Sequence, residues 1–411
     1  MMNSRFWGKI AVLVAVCGWT LSAQAKYDGG SGTETEPFRI SAVSDWQELM
    51  TTPADWASHF VLTGDLDLDG VLLSPVGSDT NKFTGVFDGN DYVIRNADVN
   101  APHRNYVGLF GCLGTDGQIK NLGVEDISAI GRYWVGGLVG WNYWGIVSNC
   151  YSTGTISGGE NVGGLVGENW CGTIGNCYSL GRVSGDENIG GLVGYNSLAS
   201  GAIINSYSTG SAAGDRYVGG LAGTNGGTLS NCYSTASVGG NYFVGGLVGW
   251  NYQGAIGNCY SSGTVGGTGA SVGGLVGSKY AGTVSSSFWD VDTSGWMTSA
   301  AGTPKTTAEM MTKSTFTDAS WDFVGETVNG TEDIWAICEG TNYPRFVYQI
   351  PRGDIVCPDG VNSLDFAVLA RYWHEADCAA LNDCNGADID LSGGVDFGDF
   401  GALAESWLTG L

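Results

Sequence analysis

The sequence predicts an all-β fold: a parallel, right-handed β-helix of about ten coils, followed by a small α-helical module at the C-terminus. Three observations carry that expectation. The landmark VGGLVG begins at Val107 (as VGLFG), Val135, Val162, Ile189, Val218, Val244 and Val272, with spacings of 26 to 29 residues. A fixed period of this size marks a stacked array in which no copy buries its apolar face alone. The unit has no helical period and consists of short β-branched runs broken by Gly. Composition then changes at Arg352: Gly thins, helical patterns appear, and eleven acidic residues accompany one basic residue.

Taken in order, Arg5 and Lys9, the apolar run Ile10 to Leu21 and Ala23-Gln24-Ala25 have the layout of a secretory signal over residues 1–25, with a mature chain starting at Lys26. The run is too short for a membrane anchor. Residues 26–106 read as a leader and the first coils, with a short helix near Asp45 to Met50. Residues 107–289 are the seven repeat copies, 290–351 a cap segment and linker, and 352–411 the helical module.

Within the repeat, Ile119, Val147, Ile174, Ile203, Leu229, Ile256 and Val284 recur three residues before the Cys position of an NCYS landmark, which suits an inward strand position. Asn121, Asn149, Asn176, Asn205, Asn231 and Asn258 form a turn column; Asn tolerates the left-handed conformation, and stacked amides can bond from coil to coil. Asn142, Asn169, Asn196, Asn225 and Asn251 mark another corner. Strand parity places Cys150, Cys177, Cys232 and Cys259 inward as small apolar residues and the adjacent Tyr outward. Cys357, Cys378 and Cys384, with Cys338 as a further possibility, are the better disulfide candidates.

The string VGGLVG followed by G-x-I-x-NCYSTG-x-V resembles the GLUG motif of bacterial surface and secreted proteins, among them parts of large adhesins and immunoglobulin A proteases. The resemblance runs upstream to Tyr27 and downstream through Tyr343-Pro-Arg-Phe, covering about residues 27 to 350. It implies a β-helix and no particular activity.

In the C-terminal module, Asp388, Asp390 and Ser392 stand at positions 1, 3 and 5 of a twelve-residue loop, with the Gly394 carbonyl at 7, Asp396 at 9 and Asp399 at 12. Calcium takes six to eight hard oxygens, and Gly393 at position 6 permits the sharp turn. A helix pattern follows from Phe400 to Leu408. An earlier, degraded copy holds Asp354, Asp359, Asn362 and Asp365, with its Asp-Gly pair one residue out of place, before a helix pattern from Phe366 to Trp373. Two such loop–helix units resemble a type I dockerin, which implies Ca2+ as cofactor and a cohesin-like protein as partner; a calcium-stabilised end domain without a partner is the alternative.

A net charge of −24 disfavours nucleic acid and anionic membranes as partners, and no later segment could span a bilayer. The few acids of the repeat region lie in Gly-rich loops without clustered Arg or Lys, so the facing carboxylates of a glycosidase are not apparent. Asp65, Asp67 and Asp69 read as strand-edge and turn residues. The chain is therefore expected to be an extracellular, non-catalytic binding protein, with a cellulosome-like attached component or a β-helix polysaccharide lyase or hydrolase as alternatives. Trp141, Tyr143, Trp144, Trp170, Tyr195, Trp250 and Tyr252 gather where VGGLVG turns its corner. They are candidates either for contact with a polysaccharide or cell-surface ligand or for packing between coils.

Overall fold

The computed structural model describes residues 26–409 apart from 198, 270, 358–359 and 379–382. The expected signal segment 1–25 and the candidate ligand Asp359 lie outside the described residues.

Each β-branched run pairs in parallel with the equivalent run one repeat later. One ladder climbs Phe38, Phe60, Phe87, Ile119 and Val147, then Ile174, Ile203, Leu229, Ile256 and Val284. A second face is a seven-stranded sheet from Phe110–Leu113 to Val276–Lys279, and a third a six-stranded sheet from Tyr133–Gly136 to Val272–Gly273. The solenoid has about eight turns, slightly fewer than the ten expected. The first coils pair within the first sheet alone, through the ladders Phe38–Phe60–Phe87, Leu66–Ile94 and, onto the next coil, Val99–Ala129, and the second face begins with the bridge from Val76 to Phe110.

Register places like on like. The expected aliphatic column is interior, with Ile119, Val147, Ile174, Ile203 and Leu229 fully buried beside Cys150, Cys177, Cys232 and Cys259. Burial pushes the Cys150 and Cys259 thiols well up, which removes thiolate reactivity. The Gly doublet lets the walls approach: a Cβ on Gly164 would lie 2.1 Å from Ser179 Oγ and 2.2 Å from the Gly191 carbonyl oxygen.

Both Asn columns form ladders. Asn142, Asn169, Asn196 and Asn225 are completely buried, and each donates from Nδ2 to Oδ1 of the next Asn, through to Asn251, at 2.8 to 3.0 Å. A buried amide left unpaired is expensive, and this column satisfies itself. The turn column is more exposed. Asn149 donates to Asn121 at 2.9 Å and Asn176 to Asn149 at 3.1 Å, with φ near +52° at each of these turns, as left-handed geometry requires.

The ends are closed differently. The helix Val43–Thr51 covers the first coils with Trp46 and Leu49. At the other end the cap segment folds back: Phe316, Trp321, Trp335 and Phe346 form a second core with Tyr207, Tyr233, Tyr260 and Phe288 of the repeat. A third small core, with Leu369, Leu403 and Val395, holds the helices Ser363–Arg371 and Phe397–Thr409. Sequence periodicity expects Phe366, Phe400 and Trp407 in that core. All three are more than 40% exposed, because the helices meet through the smaller Leu369 and Leu403. Disulfides link Cys338 to Cys357 and Cys378 to Cys384.

Asn196→Ala strands a donor on Asn169 and an acceptor on Asn225, so it should cost about 3 kcal/mol of stability. Asn149→Gly, which keeps the left-handed turn and breaks only the exposed ladder, should cost about 1 kcal/mol or less. Thermal unfolding followed by circular dichroism checks the ranking; equal losses would deny the buried ladder its role.

Candidate metal centre and binding surfaces

The loop between Asp388 and Asp399 is built by backbone amides donating to its first and last carboxylates. Asp399, buried in the first turn of its helix, accepts from Ile389 N at 2.6 Å and Asp390 N at 3.0 Å on Oδ1, and from Asp396 N at 2.8 Å on Oδ2. Asp388 Oδ2 accepts from Gly393 N at 2.9 Å, while its Oδ1 is buried with no hydrogen-bond partner. Gly393 turns the chain with φ +96°. Oxygens of Asp388, Asp390 and Asp399 lie within 4.8 Å of one another. At that separation each like-charged pair costs about 3 kcal/mol at an effective dielectric of 20, and the loop contains no Lys or Arg. An orphaned buried carboxylate oxygen amid hard oxygen donors suits a calcium ion. Of the other expected ligands, Ser392 Oγ donates to the Gly394 carbonyl at 3.3 Å, and Asp396 Oδ1 accepts from Gly398 N at 2.7 Å.

The first loop repeats this frame. Asp354 Oδ2 accepts from Gly360 N at 2.9 Å; Asp365 accepts from Ile355 N, Val356 N and Asn362 N at 2.7 to 2.8 Å. Asn362 Oδ1 caps the following helix through Leu364 N at 2.8 Å. Among the described residues, the only convergence of three such carboxylates is in the second loop.

On the solenoid, the aromatic residues of the VGGLVG corner fall into two patches. Trp134 and Trp141 stack on Tyr106, with Tyr143 tilted against Trp141 and the Lys82 ammonium 5.0 Å from the Trp141 ring. Tyr217 stacks on Phe243 and Trp250, and Tyr252 links Trp250 to Tyr280. Trp144 stands exposed, and Trp170 and Tyr195 are half-buried between the patches. Glu168 occupies the register position after Trp141. Burial raises its pKa, and Trp134 Nε1 and Asn161 Nδ2 donate to it.

Sequence periodicity turns the NCYS tyrosines outward, but it does not foresee what covers them. Tyr151, Tyr178, Tyr207, Tyr233 and Tyr260 stack face to face at 4.8 to 5.0 Å. The cap lies across the last three: Tyr260 donates to the Pro344 carbonyl at 2.7 Å, and Gln349 donates to Tyr233 at 2.8 Å. A groove of about 540 Å³ remains between cap and column, lined by residues including Tyr178, Tyr207, Arg345 and Tyr348. That volume is in the range of small-ligand sites. The NCYS repetition marks the column; the nonrepeating cap residues carry no such signal.

The carboxylates of the first coils serve turns and strand edges. Asp65 accepts from Val93 N and Arg95, Asp67 from Asn96 and Asp69 N, and Asp88 from Asn90 N and Asn121. The amide hydrogen bond from Val93 leads the causes that hold the Asp65 carboxyl below its usual range, and the Asn96 bond does so for Asp67. Among the described residues no helix is long and apolar enough to cross a membrane.

The GLUG motif is matched at residues 131–157, 158–184, 214–239 and 240–266, so the chain carries GLUG repeats. Halomucin of Haloquadratum walsbyi is 31% identical over 143 residues, which is 32% of this chain and 2% of that protein. A protein of Evansella cellulosilytica described as a candidate Gly-rich membrane protein is 33% identical over 136 residues, 30% of this chain and 15% of that one. The chain thus spans a small part of these curated relatives. The crystal structure of a candidate immunoglobulin A1 protease from Bacteroides ovatus aligns with a TM-score of 0.55 and 24% identity, over 78% of this chain and 95% of that one. At that identity the likeness speaks for the fold alone.

Calcium should bind a chain of residues 26–411 in a calorimetric titration. Asp388→Ala should weaken it by about tenfold or more, the loss of roughly 1.4 kcal/mol or more of ligand energy, and Asp354→Ala should weaken it less. Equal weakening would contradict the ranking of the loops.

Proposed function

We propose that this chain is an extracellular, non-catalytic binding protein. In this reading a β-solenoid rod meets a polysaccharide or cell-surface ligand along its outer faces, and a calcium-organised, dockerin-like module anchors it to a cohesin-like protein. The observation that carries the reading is the duplicated loop–helix unit, with Asp388 Oδ1 buried and unpartnered in a loop where carboxylate oxygens of Asp388, Asp390 and Asp399 lie within 4.8 Å of one another. A metal there would relieve the repulsion and order the turn into the helix Phe397–Thr409. The two disulfides suit an oxidising compartment. The similarity to halomucin favours a surface role. The exposed Trp144, Tyr252 and Tyr280, together with the tyrosine groove, offer aromatic contact area.

A catalytic reading has less support. The carboxylates of the first coils, Asp65, Asp67 and Asp88, are engaged by turn amides, Asn96, Asn121 and basic neighbours. The likeness to a candidate protease concerns the fold only.

The test is a glycan array and a pull-down with purified cohesins, both on the mature chain. Glycan binding without release of sugar, and cohesin retention that chelator abolishes, are the expected results. Release of reducing or unsaturated sugars would replace this reading with an enzymatic one. Binding to neither glycan nor cohesin would remove it.

A further inference from the structure

We infer that the C-terminal module holds a single calcium ion, and that in its first loop the Cys338–Cys357 disulfide takes over the ordering task the ion performs in the second. The inference rests on the calcium reading of the loop 388–399.

The two loops have the same length. Asp365 and Asp399 each gather three backbone amides from equivalent positions. Asp354 and Asp388 each receive an amide from a loop glycine at 2.9 Å, from Gly360 at position 7 in the first loop and from Gly393 at position 6 in the second. Around its last carboxylate the first loop thus keeps the amide frame of the second. The difference lies in the positions between. Where the second loop carries Asp390 and Ser392, the first carries Val356 and Pro358, and where the second has Asp396 the first has Asn362. Val and Pro offer no side-chain oxygen, so the first loop lacks the side-chain ligands at positions 3 and 5; its additional acid, Asp359, stands in the sequence at position 6, where the second loop has the turn residue Gly393. Calcium needs six to eight oxygens, and the remaining set falls short by a further charge at Asn362. The donors present do not fit the ion.

A loop that has lost its ion needs another constraint, since ordering its residues costs conformational entropy. One is present at the middle of the first loop. Cys357 stands where the second loop has Leu391, which is 81% exposed and bonded to nothing covalently. Cys357 is joined to Cys338, 19 residues upstream, with Cα atoms 5.1 Å apart. Cys338 is itself fixed: it is buried, and its amide donates to Asn342 Oδ1 at 2.9 Å. It lies in the cap, which is bolted to the tyrosine column through Tyr260 and Gln349. The crosslink thus ties the loop to the cap and restricts the unfolded chain as well. A metal loop opens to chelator; a crosslinked loop opens to a thiol reductant. The two halves of the module should answer to different reagents. Under dithiothreitol the disulfide takes two electrons and two protons to give the Cys338 and Cys357 thiols, and the reagent leaves as its cyclic disulfide.

The experiment uses the full mature chain. Calorimetric titration with calcium should give one ion per chain; two ions would overturn the inference. In hydrogen exchange on the native protein, chelator should raise exchange of residues 388–409 by about tenfold and leave 354–371 unchanged. Dithiothreitol opens both disulfides, so it is applied to Cys378→Ser with Cys384→Ser, which keeps only the Cys338–Cys357 crosslink: reduction of that variant should raise exchange of 354–371 by about tenfold and leave 388–409 as it was before reduction. Cys338→Ser with Cys357→Ser should show the raised exchange of 354–371 without reductant and still bind its ion. Should either variant fail to fold, the other carries the test. If 354–371 is as protected without the crosslink as with it, the clamp is refuted. If no calcium binds at all while reduction still loosens 354–371, the calcium reading of the second loop fails and the crosslink's role stands apart from it.

Discussion

The solenoid depends on a self-complementary side chain placed on itself. In-register parallel stacking puts each residue against its equivalent in the next coil, so a buried column is favoured where its residue type can pair with its own kind. The carboxamide can, since it carries a donor and an acceptor, and the buried ladder from Asn142 to Asn251 runs without a gap through five coils. Aliphatic side chains satisfy the same condition by dispersion and exclusion of water, and the tyrosines by stacked rings. A carboxylate does not. Glu168 stands between Trp141 and Tyr195 in its column and needs donors from Trp134 and Asn161.

The same constraint explains where chemistry can sit. A repeating wall provides rows, and rows suit extended contact more than a convergent pocket. Convergence occurs where the repeat ends. The cap closes over Tyr207, Tyr233 and Tyr260 and leaves a groove beside them. The second C-terminal loop gathers carboxylates around a turn. Both features come from sequence outside the GLUG repeat, and a disulfide joins the cap to the first loop of the C-terminal module.

Much of this was legible in the sequence, for definite reasons. The 26 to 29 residue spacing, Ile174 and its equivalents, and the inward Cys177 follow from strand parity, which is local. The left-handed Asn149 is likewise written in its own turn. The loop from Asp388 to Asp399 is a contiguous motif, so its converging acids could be read directly. What escaped was long-range. Tyr260 meets Pro344 across 84 residues and Tyr233 meets Gln349 across 116, and nothing periodic announces such contacts. The coil count is lower than the spacing suggests because the leader strands pair within the first sheet alone, and the second and third sheets start only at Phe110 and Tyr133. In the small module, Phe400 and Trp407 fit an apolar helix face by spacing, yet a crossing through Leu369 and Leu403 leaves them at the surface.

If each coil is held by stacking on its like, any whole repeat should be removable. The most direct measurement is the excision of residues 131–157, one matched GLUG unit none of whose residues joins the cap cluster. The shortened chain should keep a β-type circular dichroism spectrum and a cooperative thermal transition, and small-angle scattering should show a rod shorter by about one 4.8 Å rung. A chain that unfolds or aggregates on losing that unit would contradict the self-stacking of coils as the source of the fold.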